Sequence, residues 1–196
     1  MILLCDIKKY YENTENALPN PMVKKIVNMN NVPKYAIDLG CGAGRDTIYL
    51  IKSGWKVLSI DRENTSEFIS SKLNNEELEK FNFKCQEFEN IELDKNNLLV
   101  ANFSIPFCNK EHFDEFWNKI ANSILKDGFF VGNFFGLNDS WAKMKDQMVF
   151  LSKKQVLELF ENLFDIIEFN EVEKDGKTGL GKMKHWHIYN VIAKKK

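Results

Sequence analysis

The chain reads as a single α/β domain built on a mostly parallel sheet, and three observations carry that reading. From Tyr35 onward, short apolar runs alternate with amphipathic helical segments. One of these runs, Leu98-Leu99-Val100-Ala101, is apolar at every position, as a strand covered on both faces must be. The run Ala36-Ile37-Asp38-Leu39 leads straight into Gly40-Cys41-Gly42-Ala43-Gly44-Arg45, placing three glycines at alternate positions where a strand gives way to a helix.

Ahead of the first strand, Asp6 to Tyr11 and Pro21 to Met29 read as helical segments separated by a proline-containing bend. Together they make residues 1–33 an N-terminal helical cap, free to lie over the glycine run with Tyr10 and Tyr11 as its aromatic face. Seven strands follow, at about Tyr35 to Leu39, Lys56 to Asp61, Phe81 to Gln86, Asn97 to Phe103, Phe129 to Phe135, Phe164 to Glu173 and Lys184 to Ala193. A helix from Ala43 to Ser53 follows the glycines. Asn109 is placed to cap a helix with Phe113, Phe116, Trp117, Ile120 and Ile124 on one face, and Gly128 to stop it. Ser152-Lys153-Lys154-Gln155 is a capping box that opens a helix over Val156 to Leu163. The last two strands read as an antiparallel pair joined across Asp175-Gly176 and a Gly179/Gly181 stretch. With no internal repeat and no low-complexity linker, residues 1–196 are expected to be one domain.

Bulk properties exclude several function classes. A net charge of -1 with 28% charged and 44% hydrophobic residues describes a soluble globular chain with no overall attraction for a phosphate backbone, so nucleic acid is not expected as a partner. The Lys194-Lys195-Lys196 run is read as a solvated end. No stretch approaches the ~20 apolar residues of a membrane span. Cys5, Cys41, Cys85 and Cys108 are scattered without metal-ligand spacing, so no metal site is expected. The absence of a secretory leader pattern points to free thiols in the cytoplasm, in a monomer or dimer.

The strand, Asp38, the glycine loop, a helix and Asp61 at the end of the second strand come in the order that a nucleoside cofactor requires within one βαβ unit. A carboxylate at Asp61 can accept hydrogen bonds from both ribose hydroxyls. A dinucleotide is disfavoured on two grounds: the fingerprint's third small residue is replaced by Arg45, and Asp38 would repel a pyrophosphate while suiting a ligand with an ammonium group.

These residues resemble the first motif of class I S-adenosylmethionine-dependent methyltransferases, acidic-hydrophobic-Gly-x-Gly-x-Gly, carried here by Asp38-Leu39-Gly40-Cys41-Gly42-Ala43-Gly44. The resemblance runs from about Tyr35 to the end. It implies a three-layer, doubly wound, seven-stranded sheet of order 3-2-1-4-5-7-6 with the last strand antiparallel, S-adenosylmethionine as donor and S-adenosylhomocysteine as product. By the same resemblance Gly40, Gly42 and Gly44, with Arg45 beside them, flank the methionyl part, Asp38 meets its ammonium, and Asp61 binds the ribose. Glu87 and the neighbouring Phe88 meet the adenine, the alternative being that Glu87 is a solvated carboxylate of a charged loop, and Asn102-Phe103-Ser104 stands beside the transferable methyl group, with Asn102 as the candidate residue.

Closer still, Gly44-Arg45-Asp46-Thr47, Ile105-Pro106-Phe107-Cys108, Phe135-Gly136-Leu137-Asn138-Asp139-Ser140-Trp141 and Lys184-His185-Trp186-His187 resemble the tellurite-resistance-type branch, which implies a small-molecule acceptor. The run Asn102-Phe103-Ser104-Ile105-Pro106-Phe107 departs from the Pro-Pro-aromatic pattern of enzymes that methylate nucleic-acid bases.

Transfer from a sulfonium is an in-line displacement that needs chiefly alignment and exclusion of water, and no metal. For the acceptor side, His185 and His187 alternate about Trp186 and so share one face of a strand, where they are candidates to bind an anion or accept a proton; the alternative is that they only face solvent. The Gly136 to Met148 segment reads as an acceptor lid, with Tyr10, Tyr11 and Trp141 as candidate acceptor contacts. Two rival functions stand beside methyl transfer: a non-catalytic cofactor-binding or interaction module, and a nicotinamide-dependent oxidoreductase, which the Asp38 and Arg45 pattern argues against.

Overall fold

In the computed structural model, residues 9–11, 13–14, 17–29, 34–88, 91–143 and 147–196 are described. Asp6, Ile7 and Lys8 of the expected first helical segment, together with Cys5 and Met144, lie outside them, and Lys9–Tyr11 is helical. Helix α1 (Pro21–Met29) is followed by β1 (Tyr35–Leu39), α2 (Arg45–Lys52), β2 (Lys56–Asp61), two short helices α3 (Ser66–Ser70) and α4 (Asn75–Leu78), and β3 (Phe81–Cys85). Then come β4 (Asn96–Ala101), α5 (Phe113–Ser123), β5 (Ile124–Gly136), the two-residue β6 (Phe150–Leu151), α6 (Lys153–Phe160), β7 (Phe164–Lys177) and β8 (Met183–Lys195).

The strands lie in the order β3-β2-β1-β4-β5-β8-β7, with β6 paired to β5 off this path. Once β6 is set aside as a short addition, this is the expected seven-strand order. Every pairing is parallel except β5 with β8 and β8 with β7, so the last strand is the antiparallel one. Parallel strands need covered faces, and the period-2 alternation of their side chains supplies two separate cores. Ile37, Leu39, Leu99, Phe130 and Phe134 pack with Phe116, Trp117 and Ile120 of α5 and Phe160 of α6. Ala36, Val57, Leu98, Val100 and Val131 pack on the other face with Val23 and Ile26 of α1 and Leu50 and Ile51 of α2. Helix α1 therefore belongs to the sheet-covering layer, and among the described residues of the N-terminal segment it is Tyr11 that packs against the glycine loop.

Several boundaries differ from expectation for identifiable reasons. Helix α5 ends at Ser123, five residues before Gly128, because Ile124 has turned extended and β5 begins there. Asn109 caps a preceding 3-10 turn, its side chain accepting the Glu111 N–H at 3.0 Å. Strand β4 stops at Ala101 because Phe103 has a φ of 55°, outside the strand region. The capping box at Ser152 forms as expected, and the helix it opens runs over Lys153–Phe160. Asp175 and Gly176 are not a turn: they pair with His185 and Lys184, and the chain reverses over 178–182, with Gly181 at a φ of 81°. No helix among the described residues is long and apolar enough to cross a membrane.

Candidate active site

A cleft of about 1100 Å³ opens at the carboxyl ends of β1, β2 and β4, where the strand order reverses between β1 and β4. One end is built by the glycine loop. Gly40 and Cys41 both donate their N–H groups to the Ile60 carbonyl, at 2.7 and 3.2 Å, which pins the loop to the end of β2. The Gly42 N–H donates to Asp61 Oδ2 at 2.8 Å, while the Glu63 N–H donates to Asp61 Oδ1 at 3.1 Å. Gly42 and Gly44 both have positive φ, 55° and 77°, yet for different surroundings. A Cβ on Gly42 would have Tyr11 Cε1 at 3.7 Å as its neighbour and would project into the cleft, whereas one on Gly44 would lie 2.5 Å from Ile69 Cγ1. Gly44 is the N-cap of α2 and packs on α3; it does not line the cleft.

Asp38 is 3% exposed and its Oδ2 accepts the Thr47 hydroxyl at 2.7 Å. Burial, reinforced by the nearby Asp46 carboxylate, pushes its carboxyl up to about 7. Asp46 accepts the Asn20 N–H at 2.7 Å on one oxygen, and on the other the Asn102 amide at 2.9 Å, with Arg45 Nε 3.5 Å away. Asn102 Oδ1 and Ser104 Oγ are buried here without a hydrogen-bond partner among the described residues. Between them Phe103 is held at its positive φ, its N–H donating to Asn133 Oδ1 at 2.9 Å. A bulky residue in that region is strained, and Asn133 is what holds it.

The other end of the cleft is aromatic. Lys184 Nζ sits 3.7 Å from the centre of the Trp141 ring, 4.1 Å from that of Trp186 and 4.9 Å from that of Phe135. Phe103 and Phe107 extend this wall edge-on. The Lys184 ammonium pairs with the buried Asp139, whose Oδ1 also accepts the Trp141 N–H at 3.0 Å and whose Oδ2 accepts the His187 N–H at 3.3 Å. Asp139 thus ties the loop that carries Trp141 to β8.

Above the glycine loop, the N-terminal segment meets the β7–β8 turn. Asn13 Nδ2 donates to the Gly179 carbonyl at 3.0 Å, and a Cβ on Gly179 would fall 2.4 Å from Tyr10 Cε2. Tyr10 and Tyr11 pack edge to face, and burial raises both phenols above their ordinary range.

Of the residues singled out in the sequence, Asp38, Gly40, Gly42, Arg45, Asp61, Glu87, Phe88 and Asn102 line this cleft, as do Tyr10, Tyr11 and Trp141. Phe88 is stacked on Phe116 at 4.9 Å, which fixes its ring. His185 and His187 are not brought into it. They do share one face of β8, but it is the face turned away from the cleft, with Glu171, Glu173 and Asp175 of β7. His185 lies 2.7 Å from Asp175 and 3.2 Å from Glu173, and these carboxylates raise its imidazole pKa. His187 is buried, its Nδ1 accepting the Asn138 N–H at 3.2 Å and its Nε2 lying 3.1 Å from Glu171. The residues that line the cleft from β8 are Met183 at its start and then the alternating Lys184, Trp186, Ile188 and Asn190.

Sequence reasoning therefore missed Asp46, Lys184 and Trp186 as cleft residues. Alternation along β8 separated two sets correctly, but nothing in the sequence says which set faces the cleft. No cluster of three or more His, Cys, Asp or Glu among the described residues could hold a metal ion.

The family model described as "Tellurite resistance protein TehB" matches residues 3–171. No curated protein matches the chain. Among solved structures, TehB from Haemophilus influenzae is similar with a TM-score of 0.76 and 18% identity, over 95% of this chain; the chain spans only 66% of that protein's length. The 1,6-didemethyltoxoflavin-N1-methyltransferase of Burkholderia thailandensis, with bound 1,6-didemethyltoxoflavin and S-adenosylhomocysteine, is similar with a TM-score of 0.70 and 16% identity, over 98% of this chain and 86% of that one. The glycopeptide N-methyltransferase MtfA complexed with S-adenosyl-L-methionine gives a TM-score of 0.63 and 13% identity, over 91% and 94%. At such identities these are likenesses of fold, whereas the family match spans most of the sequence: the chain belongs to the tellurite resistance protein TehB family.

Proposed function

We propose that this protein transfers a methyl group from S-adenosylmethionine to a small-molecule nucleophile by in-line displacement. The observation that carries the reading is one continuous cleft with an acidic, glycine-lined end and an aromatic end, meeting at Asn102 and Ser104. The acidic end fits the donor: Asp38 and Asp61 offer carboxylates, Gly42 leaves room where a Cβ would project, and Asn102 Oδ1 and Ser104 Oγ are buried polar atoms with no hydrogen-bond partner among the described residues.

In this reading Asp61 binds the ribose hydroxyls while its second oxygen keeps the Gly42 N–H in place. Asp38, held by Thr47, faces the ammonium of the methionyl part, and Arg45 and Asp46 close that end. Glu87 and Phe88 receive the adenine, and Gly40 lets Ser104 approach the loop. The donor supplies a methyl group whose bond to sulfur breaks, with the electron pair kept by sulfur, as the nucleophile's lone pair forms the new bond. The chain's own contribution is alignment and exclusion of water, by Asn102 beside the transfer point and by Tyr10, Tyr11 and Trp141 around it. A methyltransferase of similar fold, the 1,6-didemethyltoxoflavin-N1-methyltransferase with bound 1,6-didemethyltoxoflavin and S-adenosylhomocysteine, supports the choice of a small molecule.

Calorimetry with S-adenosylmethionine tests the reading. Asp61→Ala removes a charged acceptor worth about 1.5–3 kcal/mol, so affinity is expected to fall roughly 10- to 100-fold with the melting transition still cooperative. Wild-type protein that does not bind S-adenosylmethionine would end the proposal.

A further inference from the structure

Two features of the aromatic end point to the kind of molecule it takes. The first is its wall of Phe103, Phe107, Phe135, Trp141 and Trp186, rings in mutual edge or tilted contact that present a broad apolar surface. The second is charge. The described residues that β5, β7, β8 and the β7–β8 turn contribute to the cleft include four lysines and no carboxylate. Lys184 is neutralised by Asp139, but Lys174, Lys177 and Lys182 stand at the exposed rim. The carboxylates that could have balanced them, Glu171, Glu173 and Asp175, are turned to the opposite face by the alternation of β7. The acidic residues of the cleft, Asp38, Asp46, Asp61, Glu63 and Glu87, come from the donor end, where Arg45 and Arg62 pair with Asp46 and Glu63.

We infer that the methyl acceptor is an organic anion with a flat, largely apolar body, its body laid on the aromatic wall and its charged group held at the rim by Lys174, Lys177 and Lys182. The inference rests on methyl transfer being the reaction of this cleft. A small inorganic oxyanion fits poorly, because it would leave five rings uncovered and offer nothing to them. Size agrees: at about 1100 Å³ the cleft exceeds the ~300–1000 Å³ usual for one small ligand, leaving room for an organic acceptor beside the donor.

The test is calorimetric titration of the protein loaded with S-adenosylhomocysteine, using 2-naphthoate, its neutral analogue 2-naphthamide, and selenite. Naphthoate is expected to bind about tenfold more tightly than naphthamide, the scale set by three partly exposed ion pairs. The triple variant Lys174→Gln, Lys177→Gln, Lys182→Gln should remove that advantage and leave naphthamide unchanged, while Trp186→Ala should weaken both naphthalene probes. Equal affinity for the two, or binding of neither, overturns the inference. So does tight binding of selenite that naphthoate cannot displace. If S-adenosylhomocysteine itself does not bind, the donor assignment fails instead, and the same titration of the unloaded protein still decides the acceptor class.

Discussion

Replacing Gly42 and Gly44 separately by alanine should separate cofactor recognition from folding within one three-residue span. Both residues occupy the left-handed region, where an alanine costs roughly 1–2 kcal/mol. At Gly44 the added methyl group would also lie 2.5 Å from Ile69 Cγ1 and 2.7 Å from Cδ1, inside a packed contact with a residue that is fully buried. Overpacking of that kind adds about 1–3 kcal/mol, so Gly44→Ala is expected to lose about 2–5 kcal/mol of stability in all. At Gly42 the nearest atom is 3.7 Å away, so only the backbone term applies to folding. Its new methyl group instead fills the space above the Asp61-bound N–H, and S-adenosylmethionine affinity should fall at least tenfold. Urea unfolding and calorimetry on both variants give the two readouts. Equal losses of stability, or a Gly42→Ala protein with wild-type affinity, would refute the division of roles.

Asp38 makes affinity depend on pH. Its carboxyl titrates near 7 in the folded chain, so if the ionised form meets the donor's ammonium, S-adenosylmethionine should bind about tenfold more weakly at pH 6 than at pH 8, and Asp38→Asn should flatten that profile. The sign for stability is opposite: with the folded pKa above the unfolded one, the native state holds the extra proton between about pH 4 and 7, so this group's contribution falls as pH rises through that window and levels above it. Denaturant midpoints from pH 4 to 8, wild type against Asp38→Asn, measure it. His185→Asn should leave S-adenosylmethionine affinity and turnover unchanged, because the ring lies on the far face of β8. His187→Ala should cost about 0.5–1.5 kcal/mol, since it removes the partly buried hydrogen bond from the Asn138 N–H, with a raised acceptor KM as the loop carrying Trp141 loosens.

The donor end was legible because its chemistry sits in consecutive residues. Asp38 to Arg45 form one strand-turn-helix step, and Asp61 ends the neighbouring strand, so order in sequence and position in space coincide. Strand boundaries β1 and β2 agree for the same reason. The order of the remaining strands came through family resemblance alone, since pairing of β5 with β8 joins segments that no local pattern links. The acceptor end was largely illegible. Its wall draws single residues from β5, two turns and β8, and no spacing marks Phe103, Phe135 and Trp186 as neighbours. The histidines attracted attention as titratable groups, although their strand neighbours Lys184 and Trp186 are the ones aimed at the cleft. Gly176 misled as a turn signal; it is a strand residue over which the Trp186 ring packs, with Cδ1 3.2 Å from where a Cβ would stand.

The two-sided character of β8 constrains how this protein could be re-engineered. Its even-numbered positions from 184 to 190 shape the acceptor end while His185 and His187 bind the supporting loop and β7. Substitutions at 186 or 190 are therefore the ones expected to retune acceptor choice with least effect on the scaffold, since Lys184 is tied to the buried Asp139 and Ile188 packs with Phe135 and Met148. A single inserted or deleted residue would instead exchange the two sets, turning imidazoles into the cleft and the lysine and tryptophan onto a carboxylate-lined face. Acceptor specificity on this strand is open to point mutation and closed to changes of length.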